Sequence, residues 1–265
     1  MPLAKVNGTE LYYALEGPEQ GEVVMFSNSL ASDLRIWKFQ APALAEAGYR
    51  LLRYDSRGHG QSASPPGPYS MEMLALDAVG LLDALGLEKV HFCGLSLGGM
   101  TGQMMGAFHG ERLLSLILSD TTSYTASPEV WDERIQMVRK NGMAAVADAT
   151  IDRWFTRAGQ ERLPEEVNEI RGMILNMSIE GFCGCCEAIR PLDLRRAISG
   201  ISARTLVIVG EQDEGTPVSE AVYLHERIPF SELNVIPGAA HLVNVEQAER
   251  FNAAVLGFLK TLKTP

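Results

Sequence analysis

Residues 90–99 read Val90-His91-Phe92-Cys93-Gly94-Leu95-Ser96-Leu97-Gly98-Gly99. The five residues Gly94 to Gly98 form a Gly-x-Ser-x-Gly pattern between an apolar run that reads as a buried strand and a stretch, Leu97–Phe108, with helical character. A strand that reverses sharply into a helix pushes the side chain at its apex, Ser96, out of the sheet. Gly94 and Gly98 remove the side chains that would collide across so tight a turn. The amides of the following helix then point at whatever Ser96 attacks. A Gly/Ser turn before a buried helix is the alternative, and the rest of the chain bears on the choice.

The runs Val23–Ser27, Tyr49–Tyr54, Lys89–Cys93, Leu113–Ser119, Arg204–Val209 and Leu233–Ile236 read as strands. Most are apolar without alternation, which suits a parallel sheet covered on both faces. Val6-Asn7-Gly8-Thr9 reads as a type I′ hairpin joining two short antiparallel strands. Helical patterns separate the runs: Ile36–Ala47; Met71–Leu85, capped by Ser70 and stopped by Gly86; Val218–Arg227, headed by Thr216 as N-cap and Pro217; and Gln247–Leu262. Strands alternating with helices predict an α/β fold with a doubly wound, mostly parallel sheet. The alternation breaks between about 123 and 194, where Ser127-Pro128, Asn141-Gly142 and Pro164 punctuate three helices. This stretch reads as a helical cap inserted into a core formed by residues 1–122 and 195–265.

The 265 residues are 46% hydrophobic and 21% charged, ordinary for a globular protein. No run approaches the ~20 apolar residues of a membrane helix, and Met1-Pro2-Leu3-Ala4-Lys5-Val6-Asn7-Gly8 lacks a signal-peptide core, so a cytoplasmic protein is expected. The net charge of −10 argues against nucleic acid or anionic membrane as partner. Cys183, Cys185 and Cys186 have no further Cys or His at zinc-ligand spacing, so they read as free thiols, and Cys93 as a small core residue. No metal or cofactor is expected, since neither a dinucleotide nor a phosphate loop is present.

A serine hydroxyl is a weak nucleophile until a base takes its proton. Partners on this kind of scaffold follow in the order Ser, acid, His. Asp213 follows the strand Arg204–Val209 in Gly210-Glu211-Gln212-Asp213, and His241 follows Leu233–Ile236 in Pro237-Gly238-Ala239-Ala240-His241. Both therefore lie on loops at strand C-termini, where open α/β sheets place their sites. Ser96 is read as nucleophile, His241 as base then acid, and Asp213 as its orienting partner. Asp120 also ends a strand and is the competing acid, better placed to shape the cap junction. Glu211 and Glu214 read as surface carboxylates. His91, His109 and His225 lie in strand or helix patterns, and His59 lies in a loop with a supporting place. The oxyanion donors are expected to be the N–H groups of Leu97 and Leu30.

Ser27-Asn28-Ser29-Leu30, Arg53-Tyr54-Asp55-Ser56-Arg57-Gly58-His59-Gly60-Gln61-Ser62, Gly67-Pro68-Tyr69, Phe92-Cys93-Gly94-Leu95-Ser96, Ser127-Pro128-Glu129-Val130-Trp131 and Cys186-Glu187-Ala188-Ile189 together resemble the 3-oxoadipate enol-lactonases, α/β-hydrolases. The resemblance covers nearly the whole chain. It departs at Ala31, where glycine is common, at Leu97, where methionine is common, and at Gly181–Cys186. It implies serine hydrolysis of the enol-lactone formed in the protocatechuate and catechol branches of aromatic degradation, yielding 3-oxoadipate. That substrate carries a carboxylate. Arg134, one turn beyond Trp131, is the candidate to hold it, with a surface arginine as the alternative; Arg190 is the second candidate. Trp131 covers the pocket or anchors the cap helix. The rival readings are a broader carboxylesterase or lactonase on neutral small esters, with perhydrolase side activity, and a non-enzymatic small-ligand receptor on the same scaffold. The expected partner is a small lactone or ester, and a homo-oligomer stays open.

Overall fold

A computed structural model describes residues 2–262. Strands β1 (Leu3–Val6) and β2 (Thr9–Glu16) form the N-terminal hairpin, with Asn7 and Gly8 at φ 41° and 72° in its turn. Then follow β3 (Val23–Ser27), α1 (Gln40–Glu46), β4 (Arg50–Tyr54), α2 (Met71–Ala84), β5 (Val90–Leu95), α3 (Leu97–Phe108) and β6 (Leu113–Ser119). Five helices intervene: α4 (Pro128–Asn141), α5 (Ala144–Trp154), α6 (Arg157–Arg162), α7 (Pro164–Asn176) and α8 (Ile179–Ile189). The chain closes with β7 (Thr205–Gly210), α9 (Val218–Arg227), β8 (Ser231–Ile236), α10 (Val243–Glu246) and α11 (Ala248–Leu262). None of these helices is long and apolar enough to cross a membrane.

The sheet has eight strands in the order β1-β2-β4-β3-β5-β6-β7-β8. Pairs β1/β2 and β2/β4 are antiparallel and the other five are parallel. Every residue of β3, β5 and β7 is buried, because helices cover both faces. The edge strand β8 alternates instead. From β3 the chain winds first toward β4 and then back across to β5, so the winding direction reverses beside the C-terminal ends of β3 and β5, where open sheets form clefts.

Several elements differ from the sequence expectation. The helix expected over Ile36–Ala47 is a 3-10 turn at Leu34–Trp37 followed by α1, which starts at Gln40. Pro42 has no N–H and tolerates only the first turn of a helix, which sets that start. The last helix runs over Ala248–Leu262 as expected to within a residue, but a short helix, α10, precedes it, and Gln247 between the two donates its side-chain amide to the Gly238 carbonyl at 2.8 Å. Helices α6 and α8 have no clear signal. The first is six residues long, its N-terminus capped by the Thr156 hydroxyl. The second contains Gly181-Phe182-Cys183-Gly184-Cys185-Cys186, a weak helix former. It exists because it packs: a Cβ on Gly181 would lie 2.1 Å from the Gly58 carbonyl oxygen, so the helix sits directly on the Arg57–Gly60 loop. The three thiols of this run are buried, and Cys185 Sγ lies 3.7 Å from the Arg57 carbonyl.

The same loop is held from below by a buried ion pair. Arg57 Nε and Nη2 donate to Asp77 of α2 at 2.7 and 2.6 Å, and Asn7 of the hairpin donates to the same carboxylate at 2.8 Å. Both charged side chains are under 7% exposed. Removing one member strands the other charge, a loss of about 3–5 kcal/mol. Asp77→Ala is therefore expected to lower the free energy of urea unfolding by about that amount; a loss below about 1 kcal/mol would show that the pair does not hold the loop.

Candidate active site

Ser96 stands between β5 and α3 with φ 55° and ψ −111°, a conformation that costs a residue with a side chain about 1–3 kcal/mol. Its backbone is fixed on both sides. The N–H donates to the Ser119 carbonyl at 2.9 Å, and the carbonyl accepts from the Met100 N–H at 2.9 Å and the Thr121 hydroxyl at 2.8 Å. Gly94 and Gly98 permit the turn. A Cβ on Gly94 would lie 2.1 Å from the Gly98 carbonyl oxygen, and one on Gly98 would lie 2.1 Å from that of Ser27. Within the buried stretch from Val90 to Met100, only Ser96 is partly exposed, and it faces a cavity.

His241 reaches the same cavity from the loop after β8, and its Nδ1 lies 2.8 Å from Asp213 Oδ2. Asp213 also accepts the N–H groups of Gly215 and Thr216, at 2.8 and 3.1 Å, and the Thr216 hydroxyl at 2.6 Å. Thr216 was expected to cap α9; instead Pro217 occupies the cap position and the hydroxyl serves the carboxylate. Burial would raise the Asp213 carboxyl, but the charge and hydrogen bond of His241 hold it below the ordinary range. Burial likewise opposes an imidazolium, yet the Asp213 charge raises His241 above its usual value. Asp120, the competing acid, has φ 44° and accepts the Gly210 N–H at 2.8 Å and the Ser119 hydroxyl at 2.6 Å. Burial and the Asp213 charge push its carboxyl well up. Ser96 and His241 are not directly hydrogen-bonded among the described residues; such bonds commonly tighten only around substrate.

Across from this pair runs the loop after β3. Leu30 lines the cavity, its N–H without a partner among the described residues. Leu97 opens α3, where first-turn amides have no partner inside the helix. The loop is braced by Asn28, whose amide donates to the Ser29 and Ser32 carbonyls at 3.1 and 2.8 Å, and by His59. The Ala31 N–H donates to His59 Nε2 at 3.2 Å, so the proton sits on Nδ1, which donates to the Arg57 carbonyl at 3.1 Å. Burial depresses His59 to about 4, so the ring is neutral as this arrangement needs. Ala31 has φ 66°, which explains why glycine suits that position.

The cavity measures about 400 Å³, and one of its walls comes from α4, α5 and α8. Trp131 and Arg134 both line it, the guanidinium stacked 4.6 Å from the indole centre. Arg190, the second candidate, is instead paired with Asp132 and does not line the cavity, a correction to its expected place. Sequence patterns gave no signal for Arg153 and Trp154 of α5. Arg153 also lines the cavity, with Nη2 3.3 Å from the Thr150 hydroxyl. Trp154 stacks on His241 at 6.3 Å and 25°. Burial lowers both guanidinium groups, the charge of Arg134 lowers Arg153 further, and Asp152 opposes that only at the surface. Neither arginine forms an ion pair among the described residues. Glu220, the one carboxylate lining the cavity there, accepts the Thr122 hydroxyl at 2.5 Å.

Glu246, only 4% exposed, also escaped the sequence reading. It accepts the Ala240 N–H at 2.9 Å and both the N–H and hydroxyl of Thr156, while the Leu242 N–H donates to the Trp154 carbonyl at 3.0 Å. The residues on both sides of His241 are thus tied to the segment that joins α5 to α6.

A strained serine at a strand–helix turn, facing a histidine–carboxylate pair over the C-terminal edge of such a sheet, defines the serine hydrolases of the α/β class. Residues 22–163 match the profile of the alpha/beta hydrolase fold, and the chain belongs to that family. It is an ester hydrolase with 38% identity over 250 residues to 3-oxoadipate enol-lactonase 2 of Acinetobacter baylyi, covering 94% of this chain and 93% of the relative. The crystal structure of the enol-lactonase from Burkholderia xenovorans superposes with a TM-score of 0.95 at 40% identity, covering 98% of this chain and all of that one. A thermophilic esterase from Thermogutta terrifontis, solved with malate bound, matches at 33% identity and a TM-score of 0.93 over the full length of both chains.

The electrostatics of His241 fix the direction of the pH dependence. An imidazole that takes a serine proton must be neutral, and the pKa of His241 is raised, so with His241 as the base activity would be lost as pH falls through a value above the ordinary imidazole range. Hydrolysis of a neutral ester should show that acid limb. Asp213→Asn should move it down while cutting turnover about 10⁴-fold. Arg153→Gln removes a cation that opposes the imidazolium and should move the limb up. A limb that stays in place in Arg153→Gln would contradict this electrostatic account.

Proposed function

We propose that the chain opens the enol-lactone of 3-oxoadipate to 3-oxoadipate, with Ser96, His241 and Asp213 as its triad. His241 Nε2 takes the Ser96 proton as Oγ attacks the lactone carbonyl, and Asp213 steadies the resulting imidazolium through Nδ1. The oxyanion is received by the N–H groups of Leu30 and Leu97, at the end of the α3 dipole. Collapse expels the ring oxygen, which takes the proton from His241 and leaves as an enol tethered to the acyl chain. Water, deprotonated by His241, then releases the acid, and the enol becomes a ketone.

The observation that carries the substrate choice is Arg134, stacked on Trp131 in the wall of the cavity that Ser96 and His241 line, with no acidic partner among the described residues. A half-buried guanidinium without a counter-ion favours a ligand that brings a carboxylate. The kinship with enol-lactonases of Acinetobacter baylyi and Burkholderia xenovorans supports the same choice. In this reading residues 123–194 act as a cap on a core of residues 1–122 and 195–265, of which Met1 and residues 263–265 lie outside the described structure. In the same reading the enzyme works in the cytoplasm. A second reading, an esterase for other small esters, draws on the apolar lining by Met100, Val130, Val146 and Ile189 and on the likeness to the Thermogutta terrifontis esterase.

Turnover of the enol-lactone and of p-nitrophenyl acetate separates the two readings. Ser96→Ala should abolish both. Arg134→Gln should lower the ratio of lactone to acetate kcat/KM by about 10- to 150-fold, the effect of a hydrogen bond to a charged group worth about 1.5–3 kcal/mol. An unchanged ratio, or wild-type activity on the acetate alone, would remove the lactone assignment.

A further inference from the structure

We infer that the cavity also turns over open-chain monoesters of dicarboxylic acids, with the six-carbon acyl chain preferred, and that Arg153 acts beside Arg134 as the reader of the far carboxylate. The inference rests on the lactone reading and goes beyond it in substrate class and in the residue it assigns.

When Ser96 opens the lactone, the ring ceases to exist. What remains on Oγ is a six-carbon chain ending in a carboxylate, which is a monoester of a dicarboxylic acid. A cavity that completes the lactone reaction must hold that extended chain and hydrolyse it. An adipyl chain on Ser96 differs from it by one ketone oxygen. Its walls along the way are apolar side chains such as Val146, Phe182 and Ile189, which suit a methylene chain.

One wall of the cavity is built for negative charge. Arg134 and Arg153 project from α4 and α5 into one cavity, both half-buried and neither ion-paired among the described residues. Two guanidinium groups brought close together in partly desolvated surroundings repel each other, and an anion between them relieves that repulsion. Arg134 is steadied by the Trp131 face and Arg153 by the Thr150 hydroxyl, so donors remain on both. A carboxylate has acceptor sites for two such forks. The cavity's own carboxylate, Glu220, is held by Thr122.

The chemistry balances without any further reagent. Ser96 Oγ adds to the ester carbonyl as His241 Nε2 takes its proton. The C–O bond to the alkoxide breaks, and His241 returns the proton to give the free alcohol. Water then adds to the acyl-enzyme and gives a proton to His241, which passes it to the departing Ser96 Oγ. The products are the alcohol and the dicarboxylate.

The test is a pH-stat series with the wild-type enzyme on the monomethyl esters of succinic, glutaric, adipic and pimelic acids, with methyl hexanoate as the uncharged control. The enol-lactone is assayed in parallel. The expected result is a kcat/KM for monomethyl adipate at least about tenfold above that for methyl hexanoate, the ratio that one charge-assisted contact provides. The series should peak at six carbons, and the adipate-to-hexanoate ratio should fall at least about fivefold in Arg153→Gln. Equal or faster turnover of methyl hexanoate, a peak at another chain length, or an unchanged ratio in Arg153→Gln overturns the inference. Lactone turnover without preference for the monoester sinks this inference alone. Monoester preference without lactone turnover upholds it and sinks the lactone reading instead.

Discussion

The backbone of Ser96 is the constraint on which the rest of the site depends. A residue with a side chain is held at φ 55°, and nothing local to it favours that state. Strand β6 supplies the Ser119 carbonyl, the segment after it supplies the Thr121 hydroxyl, and β3 comes so close that Gly98 has no room for a Cβ. The strain is stored by the packing of α3 onto three neighbouring strands. Its result is that a hydroxyl stands free at the mouth of the sheet while the amides on either side are locked in direction. The loop after β3 depends on the same contact, since the Gly98 N–H donates to the Asn28 carbonyl at 3.1 Å and so sets where Leu30 lies.

Charge is distributed to match this geometry. Three ionisable groups lie buried at the ends of β6, β7 and β8, and they differ in protonation because they differ in partners. Asp213 faces an imidazole and three donors and stays charged. Asp120 faces Asp213 in a dry setting and is pushed toward the neutral form. His241 is raised by the carboxylates behind it and lowered by Arg153 in front. Arg153, which lines the same cavity as Ser96, thus carries the charge of the cavity wall and at the same time opposes the imidazolium form of His241.

The inserted helices do more than roof the cavity. Helix α8 rests on the Arg57–Gly60 loop through facing glycines, and that loop carries His59, which braces Ala31 beside Leu30. On the other side, Glu246 and the Trp154 carbonyl tie the His241 loop to the α5–α6 junction. Displacing those helices would disturb the loop that carries Leu30 and the loop that carries His241 together.

The strand–Ser–helix turn, the order of Ser96, Asp213 and His241 on loops at strand ends, and the parallel sheet were legible in the residues alone. Each rests on local chemistry: glycines where a turn is tight, apolar runs where both faces are covered, and loops at strand ends. Trp131 and Arg134 were legible because they sit one turn apart on a helix with a clear start at Ser127-Pro128. The tertiary structure alone decided the rest. Arg153 and Arg190 are both arginines in helical stretches, and only packing placed one in the cavity and the other against Asp132. Thr216 looks like a helix cap until the Asp213 carboxylate, three residues back, takes its hydroxyl. Glu246 carries no local signal in the sequence, yet it meets Thr156, 90 residues away. Periodicity and turn chemistry act over a few residues. The partner of a charged or hydroxyl side chain is set by chain segments distant in sequence, which only the closed fold brings within hydrogen-bonding reach.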